Sequence, residues 1–182
     1  RIVREIAGLD EMVENLLSLQ RLENGAALNL QPLSVRPVIE EVLRQVTAQA
    51  AQKYIRIENN VPNDLPLAQL DGPFVKQALV NLLENAIMFS ENGGQVLLNI
   101  AVTDSEVVIA VHDDGPGIAP SDIEHIFEPN VPASPRGKNA KRGGVGLAIV
   151  RSVAERHGGR TWAESKLGQG STFYLALPRT KA

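Results

Sequence analysis

Three glycine-bearing clusters constrain this chain more than any other feature, because each stands where one element of secondary structure should give way to another. Asp113-Asp114-Gly115-Pro116-Gly117-Ile118 follows directly on a β-rich run. Gly143-Gly144-Val145-Gly146-Leu147 opens a helical pattern, and Gly168-Gln169-Gly170-Ser171-Thr172-Phe173 enters a final strand. Glycines at such seams let backbone approach a ligand closely. A carboxylate at a strand end can accept a hydrogen bond from an exocyclic amine, and the free N–H groups and dipole of a helix N-terminus favour phosphate. Taken singly, each cluster reads more simply as a tight turn or helix start.

A fourth cluster, Asn81-Leu82-Leu83-Glu84-Asn85-Ala86, sets two amides four residues apart on one helix face. Amide oxygens suit Mg²⁺, an ion that keeps most of its waters and binds phosphate. Two solvated asparagines on a helix surface are the plainer reading of the pair alone.

Between these clusters the periodicity is clear. Ile2, Ile6, Leu9, Val13 and Leu16 recur at alternating spacings of four and three, a coiled-coil or bundle helix over residues 1 to 23 that Asn24-Gly25 should cap. A short strand is expected around Leu28 to Leu33. Ser34 is the expected N-cap of a helix carrying Val38, Val42, Val46 and Ala50. Ile55 to Asn59 alternates as a strand and Leu67 to Leu70 is extended. Asp71 should cap a second helix that tolerates Pro73 in its first turn and runs to about Ser90. Gln95 to Val102 and Glu106 to His112 form a hairpin. Ser121 and Glu124 make a capping box behind Pro120 for a short helix ending near Phe127, and Glu128 to Gly144 should be a mobile loop. A third helix, from about Gly144 to His157, and strands at Arg160 to Glu164 and Ser171 to Leu177 complete the chain. Three helices needing cover and a central hairpin predict an α+β fold, a two-layer sandwich with a mixed sheet of about five strands. We divide the chain into residues 1–25, a partial helical module, and residues 26–182, the main domain.

Composition narrows the partners. With 18 Lys plus Arg against 21 Asp plus Glu, the net charge of −3 and the lack of a basic tract argue against nucleic acid. No cysteine is present, which excludes disulfides, thiolate metal sites and cysteine nucleophiles. No apolar run reaches the roughly 20 residues that span a bilayer, so no membrane contact is expected from these residues. The chain starts at Arg1 inside a helical pattern and is expected to be a piece of something longer.

The order and spacing of the four clusters resemble the N, G1, G2 and G3 boxes of two-component sensor histidine kinases, within the superfamily that includes gyrase, Hsp90 and MutL. Ile126-Phe127 is similar to that family's F box, and the resemblance covers about residues 28 to 178. Residues 1 to 24 resemble the second helix of the family's dimerisation and phosphotransfer module. The resemblance implies the Bergerat ATP-binding fold, ATP and Mg²⁺ as cofactors, and a cytoplasmic domain whose parent protein is either soluble or membrane-anchored. It implies a homodimer in which the γ-phosphate passes to a histidine on the dimerisation module and then to the receiver domain of a response regulator. That histidine is not expected among these residues: His112, His125 and His157 lack the surrounding motif and read as structural or solvated.

Carried over by position, the resemblance implies Asn85 as metal ligand with Asn81 supporting it, and Asp113 as adenine anchor. Gly115, Gly117 and Ile118 would shape the adenine pocket, and Thr172 would help hold the adenine side. Gly144, Val145, Gly146 and Leu147 would present amides to phosphate. The hydrolases of the superfamily place a Glu four residues before the Mg²⁺-binding Asn; here that position is Asn81, which favours phosphotransfer over hydrolysis. Met88 stands where the family commonly has a basic or polar residue, and Arg142 replaces the first G2 glycine. Lys141 and Arg142, with Arg136 and Lys138, are expected to supply charge to a closing lid. These departures are the support for an alternative, a degenerate nucleotide-sensing or partner-docking module. A serine kinase of the anti-sigma-factor type is a further rival, against which the N-terminal helix argues.

Overall fold

In the computed structural model, which describes residue 13 and residues 15–25, 27–129 and 145–180, the chain folds as the expected two-layer α/β sandwich. Helix α1 (residues 15–23) leads into strand β1 (Gln31–Leu33), helix α2 (Arg36–Gln52), β2 (Arg56–Asn60), β3 (Ala68–Leu70) and α3 (Gly72–Phe89). There follow β4 (Gln95–Val102), β5 (Glu106–Asp113), α4 (Pro120–Ile123), α5 (Gly146–Arg156), β6 (Arg160–Ser165) and β7 (Ser171–Pro178). The cations Arg136, Lys138, Lys141 and Arg142, expected to serve a lid, the glycines Gly143 and Gly144, and residues 1–12 and 14, expected to be helical, lie outside the described residues.

The main sheet has the order β2-β4-β5-β7-β6, antiparallel except where β2 runs parallel to β4. That parallel pair requires a crossover, which α3 provides. Alternation sets its inner face: Val107, Ile109, Val111 and Asp113 of β5 are buried, while the residues between them are not. Val96, Leu98, Phe173, Leu175 and Leu177 extend this face, and α2, α3 and α5 cover it. α3 is buried on most sides, through Val75, Ala78, Leu79, Leu82, Leu83, Ala86 and Ile87. Each valine, leucine or isoleucine among them contributes about 1.5–3 kcal/mol by leaving water.

Two caps differ from the sequence reading. The N-cap of α2 is Val35, with Ser34 Oγ accepting from the Arg36 N–H at 3.3 Å; the N-cap of α4 is Ala119, and Ser121 instead donates to Asp122 Oδ1 at 2.9 Å. Pro37 and Pro120 stand inside the first turns, and a ring that presets helical φ places the cap of α2 one residue after Ser34 and that of α4 two residues before Ser121. Asp71 does cap α3, accepting from the Phe74 N–H at 3.4 Å. The C-terminal end of α3 is closed by Lys53, whose Nζ donates to the carbonyls of Ile87, Met88 and Ser90 at 2.7, 2.9 and 2.6 Å.

The end of α1 belongs to the core. Leu19 and Leu22 are buried in it, and Arg156 Nη1 donates to the Leu22 carbonyl at 2.6 Å, whereas Val13 and Leu16 stay exposed. Asn24-Gly25 ends the helix, with Gly25 at φ 78°. Nearby, Asp71 joins three elements: its N–H donates to His157 Nε2 at 2.9 Å and its Oδ2 accepts from the Asn29 N–H at 2.8 Å. His157 Nδ1 in turn donates to the Val153 carbonyl at 2.7 Å, so the buried ring is neutral, and burial holds its pKa below the ordinary value.

Tyr54 follows the end of α2 with φ 55°, the left-handed conformation that glycine adopts at little cost, and the residue is 81% exposed. Tyr54→Gly is expected to stabilise the chain by about 0.5–1 kcal/mol, the left-handed penalty less the extra entropy of an unfolded glycine. A urea midpoint that stayed put or fell would show that the exposed ring makes a contribution the backbone argument leaves out.

Candidate functional site

The four clusters converge at one end of the sheet. Asp113 is the last residue of β5, and the strand's alternation turns its carboxylate to the helical side, where it is 2% exposed. The Gly115 N–H donates to Asp113 Oδ1 at 2.9 Å. Burial pushes the Asp113 carboxyl up to about 6, against the opposing pull of the Gly115 amide, the His112 charge and the Ser171 amide. A buried, raised carboxylate at a strand end, hydrogen-bonded by backbone amides, is a candidate for ligand recognition.

The loop that follows is stitched to the hairpin between β6 and β7. Gly168 N–H donates to the Pro116 carbonyl at 2.8 Å, and Ile118 N–H to Ser165 Oγ at 2.8 Å. Gly117 sits at φ 74°, and a Cβ there would run into the Lys166 carbonyl, so only glycine fits. The far wall is the end of α3, where the Phe89 carbonyl would lie 2.8 Å from a Cβ on Gly115.

The second half of the site is the meeting of α3 with the N-terminus of α5. Gly146 begins α5, and a Cβ on it would come within 3.1 Å of Asn81 Oδ1. Asn81 is 6% exposed, and its Nδ2 finds no hydrogen-bond partner among the described residues. An orphaned buried amide costs about 1–3 kcal/mol and marks a place suited to a polar ligand. Asn85 lies one turn further on and is half-buried. The side chains of Val145 and Leu147 are buried in the core, which leaves only their backbone for a ligand. The first helical bond runs from the Ile149 N–H to the Val145 carbonyl, so the amides of Gly146, Leu147 and Ala148 stand ahead of it as N-terminal donors.

Of the residues named from the sequence, the fold gathers Asn81, Asn85, Asp113, Gly115, Gly117, Ile118, Val145, Gly146 and Leu147; Gly144, Lys141 and Arg142 lie outside the described residues. Thr172 is not gathered. Pleating places it on the opposite face of the sheet from Asp113, where its Oγ1 bonds His112 Nδ1 at 2.9 Å. The hydroxyl on the Asp113 side is Ser171, 4% exposed and directly opposite Asp113 in the β5–β7 register. The signal was present in the alternation, since Phe173 is the inward apolar residue two positions on. Ser165 carried no signal of its own.

The remaining histidines lie apart from this constellation: His112 is on the outer sheet face, and His125 is exposed, bonded to Glu128 at 2.9 Å.

A family model described as histidine kinase-, DNA gyrase B-, and HSP90-like ATPase matches residues 70–181. Among curated proteins, the adaptive-response sensory kinase SasA of Synechococcus sp. (strain JA-3-3Ab) is 34% identical over 96% of this chain and 47% of its own length. The SasA of Synechococcus elongatus (strain ATCC 33912 / PCC 7942 / FACHB-805) is 32% identical over 96% of this chain and 45% of its own. The chain thus spans about half the length of these relatives. Among solved structures, full-length ShkA in complex with AMPPNP has a TM-score of 0.83 at 32% identity, covering 100% of this chain and 38% of that one. The mycobacterial sensor histidine kinase MprB has a TM-score of 0.72 at 26% identity, covering 84% and 100%.

Proposed function

Because the chain belongs to the family of histidine kinase-, DNA gyrase B- and HSP90-like ATPases, we propose that it binds ATP with Mg²⁺ and passes the γ-phosphoryl group to a histidine on a helical phosphotransfer module. The observation that carries this reading is the opposed pair of half-sites: a buried carboxylate for an exocyclic amine at Asp113, and an orphaned amide beside a helix N-terminus at Asn81 and Gly146.

The chemistry follows from the groups present. Asp113 accepts from the adenine amino group, and the walls at Gly115, Gly117 and Ile118 fit a flat ring. The α5 amides and Asn81 Nδ2 donate to phosphate oxygens. Asn85 has the donor chemistry to hold Mg²⁺, which would neutralise triphosphate charge when bound. An amide at position 81 cannot take a proton from water, so the site positions a phosphoryl group without activating a hydrolytic nucleophile. The rest is alignment of an incoming imidazole with the γ-phosphorus.

The same reading makes the partners a second copy carrying the phosphoacceptor helix and the receiver domain of a response regulator, with the ATP-using domain in the cytoplasm. Among the described residues, no helix is long and apolar enough to cross a membrane.

Calorimetric titration with ATP and Mg²⁺ should give micromolar binding, about −8 kcal/mol. Asn85→Ala should lose about tenfold or more of the ATP affinity in Mg²⁺ and far less of the affinity for AMP. Acid-labile phosphate on a separately supplied histidine-bearing helical hairpin would follow from the reading. Nucleotide binding without transfer would instead favour a sensing or docking module, and acid-stable phosphate a serine kinase.

A further inference from the structure

The hydrogen bonds around Ser165 determine which way a buried hydroxyl beside Asp113 can point its proton. Ser165, the last residue of β6, accepts from the Ile118 N–H at 2.8 Å and lies 2.9 Å from both the Gly170 carbonyl and Ser171 Oγ. A hydroxyl has one proton and two lone pairs, and a carbonyl oxygen can only accept. The Ser165 proton is therefore committed to Gly170. Ser171 must then donate to Ser165, and its remaining capacity is that of an acceptor. Ser171 faces Asp113 across the β5–β7 pair, on the same buried side.

We propose that Ser165 is a specificity-determining positioning residue: by fixing the direction of this hydroxyl chain it makes Ser171 a second acceptor beside Asp113, selecting a 6-amino purine over a 6-oxo purine. The inference rests on the nucleotide-binding reading above and adds to it the source of base selectivity. Two acceptors side by side suit the two protons of an exocyclic amine. The oxo group of hypoxanthine or guanine meets two lone-pair surfaces and loses a hydrogen bond, and a site built for one partner rejects the analogue that lacks it.

The test is the ratio of affinities for ADP and IDP, measured by calorimetry on this chain and three variants. In Ser165→Ala the Ser171 proton is released and can turn to a 6-oxo group, so the preference for ADP should narrow by about tenfold, the worth of one such hydrogen bond. Ser165→Thr keeps the hydroxyl and should restore the preference. Ser171→Ala removes the second acceptor with Ser165 intact and should also narrow it. A structural role alone would weaken both nucleotides together, so an unchanged ratio in Ser165→Ala overturns the proposal even if both affinities fall. If the unaltered chain binds neither nucleotide, the nucleotide-binding reading itself is what fails.

Discussion

Asp113→Asn is expected to cut the affinity for adenine nucleotides about 100-fold or more and, at the same time, to raise the melting temperature of the ligand-free chain. Both effects come from one carboxylate. Its folded pKa is about 6, above the ordinary value of 3.8, so between those values the folded chain binds more protons than the unfolded one. Stability is then greatest with the carboxyl protonated and is lost as pH rises through about 6. At neutral pH the buried charge costs up to about 3 kcal/mol. Asparagine removes the charge but offers only one acceptor oxygen to the amides of Gly115 and Ser171, giving back about 1 kcal/mol. The net gain of about 1–2 kcal/mol corresponds to a few degrees in Tm. The gain should be largest at pH 7.5 and shrink toward pH 5. A variant that melts lower than the original at pH 7.5 would contradict the claim that burial of this charge is a cost. One that binds ADP within a few-fold would remove Asp113 from the recognition of the base.

Gly170→Ala should be the most damaging single-methyl change in the molecule's ligand-binding end. Gly170 sits at φ 84°, and a Cβ there would collide with the carbonyl of Asp113. The left-handed backbone costs an alanine about 1–2 kcal/mol, and the overlap forces β7 away from β5 for about 1–3 kcal/mol more. Because Asp113 and Ser171 pair directly across that contact, nucleotide affinity should fall with stability. Gly168→Ala is the control. Its φ is 75° but nothing lies within 4 Å of the added methyl, so it should show the backbone penalty alone. Equal losses in the two variants, read from denaturant midpoints, would mean that the close approach to Asp113 is relieved at no cost.

Local rules reached far into this fold for a physical reason. The period of β4 and β5, the apolar wealth of α3, the Asp71 cap and the Asn24-Gly25 stop are all properties of neighbouring residues, and each element formed where that pattern lay. The glycine clusters were legible because a backbone that approaches another closely admits no Cβ. Where the reading slipped, the deciding contact was distant or the competition was local and close. Pro120 displaced Ser121 as the start of α4, and the pairing of β5 with β7 turned Thr172 to the face away from Asp113.

The family, the order of the half-sites and the residue types that could recognise an amine, a metal and a phosphate were all readable from residue order. Which of them stand together depends on folding. Thr172 and Ser171 are adjacent in the chain and equally plausible as chemistry, yet pleating sends them to opposite faces of the sheet, one to His112 and one to Asp113. Ser165 belongs to no cluster at all. Its role arises because the β6–β7 turn returns the chain to the Asp113 loop, 47 residues from Ile118, and a single hydroxyl proton must choose among partners that no local pattern records.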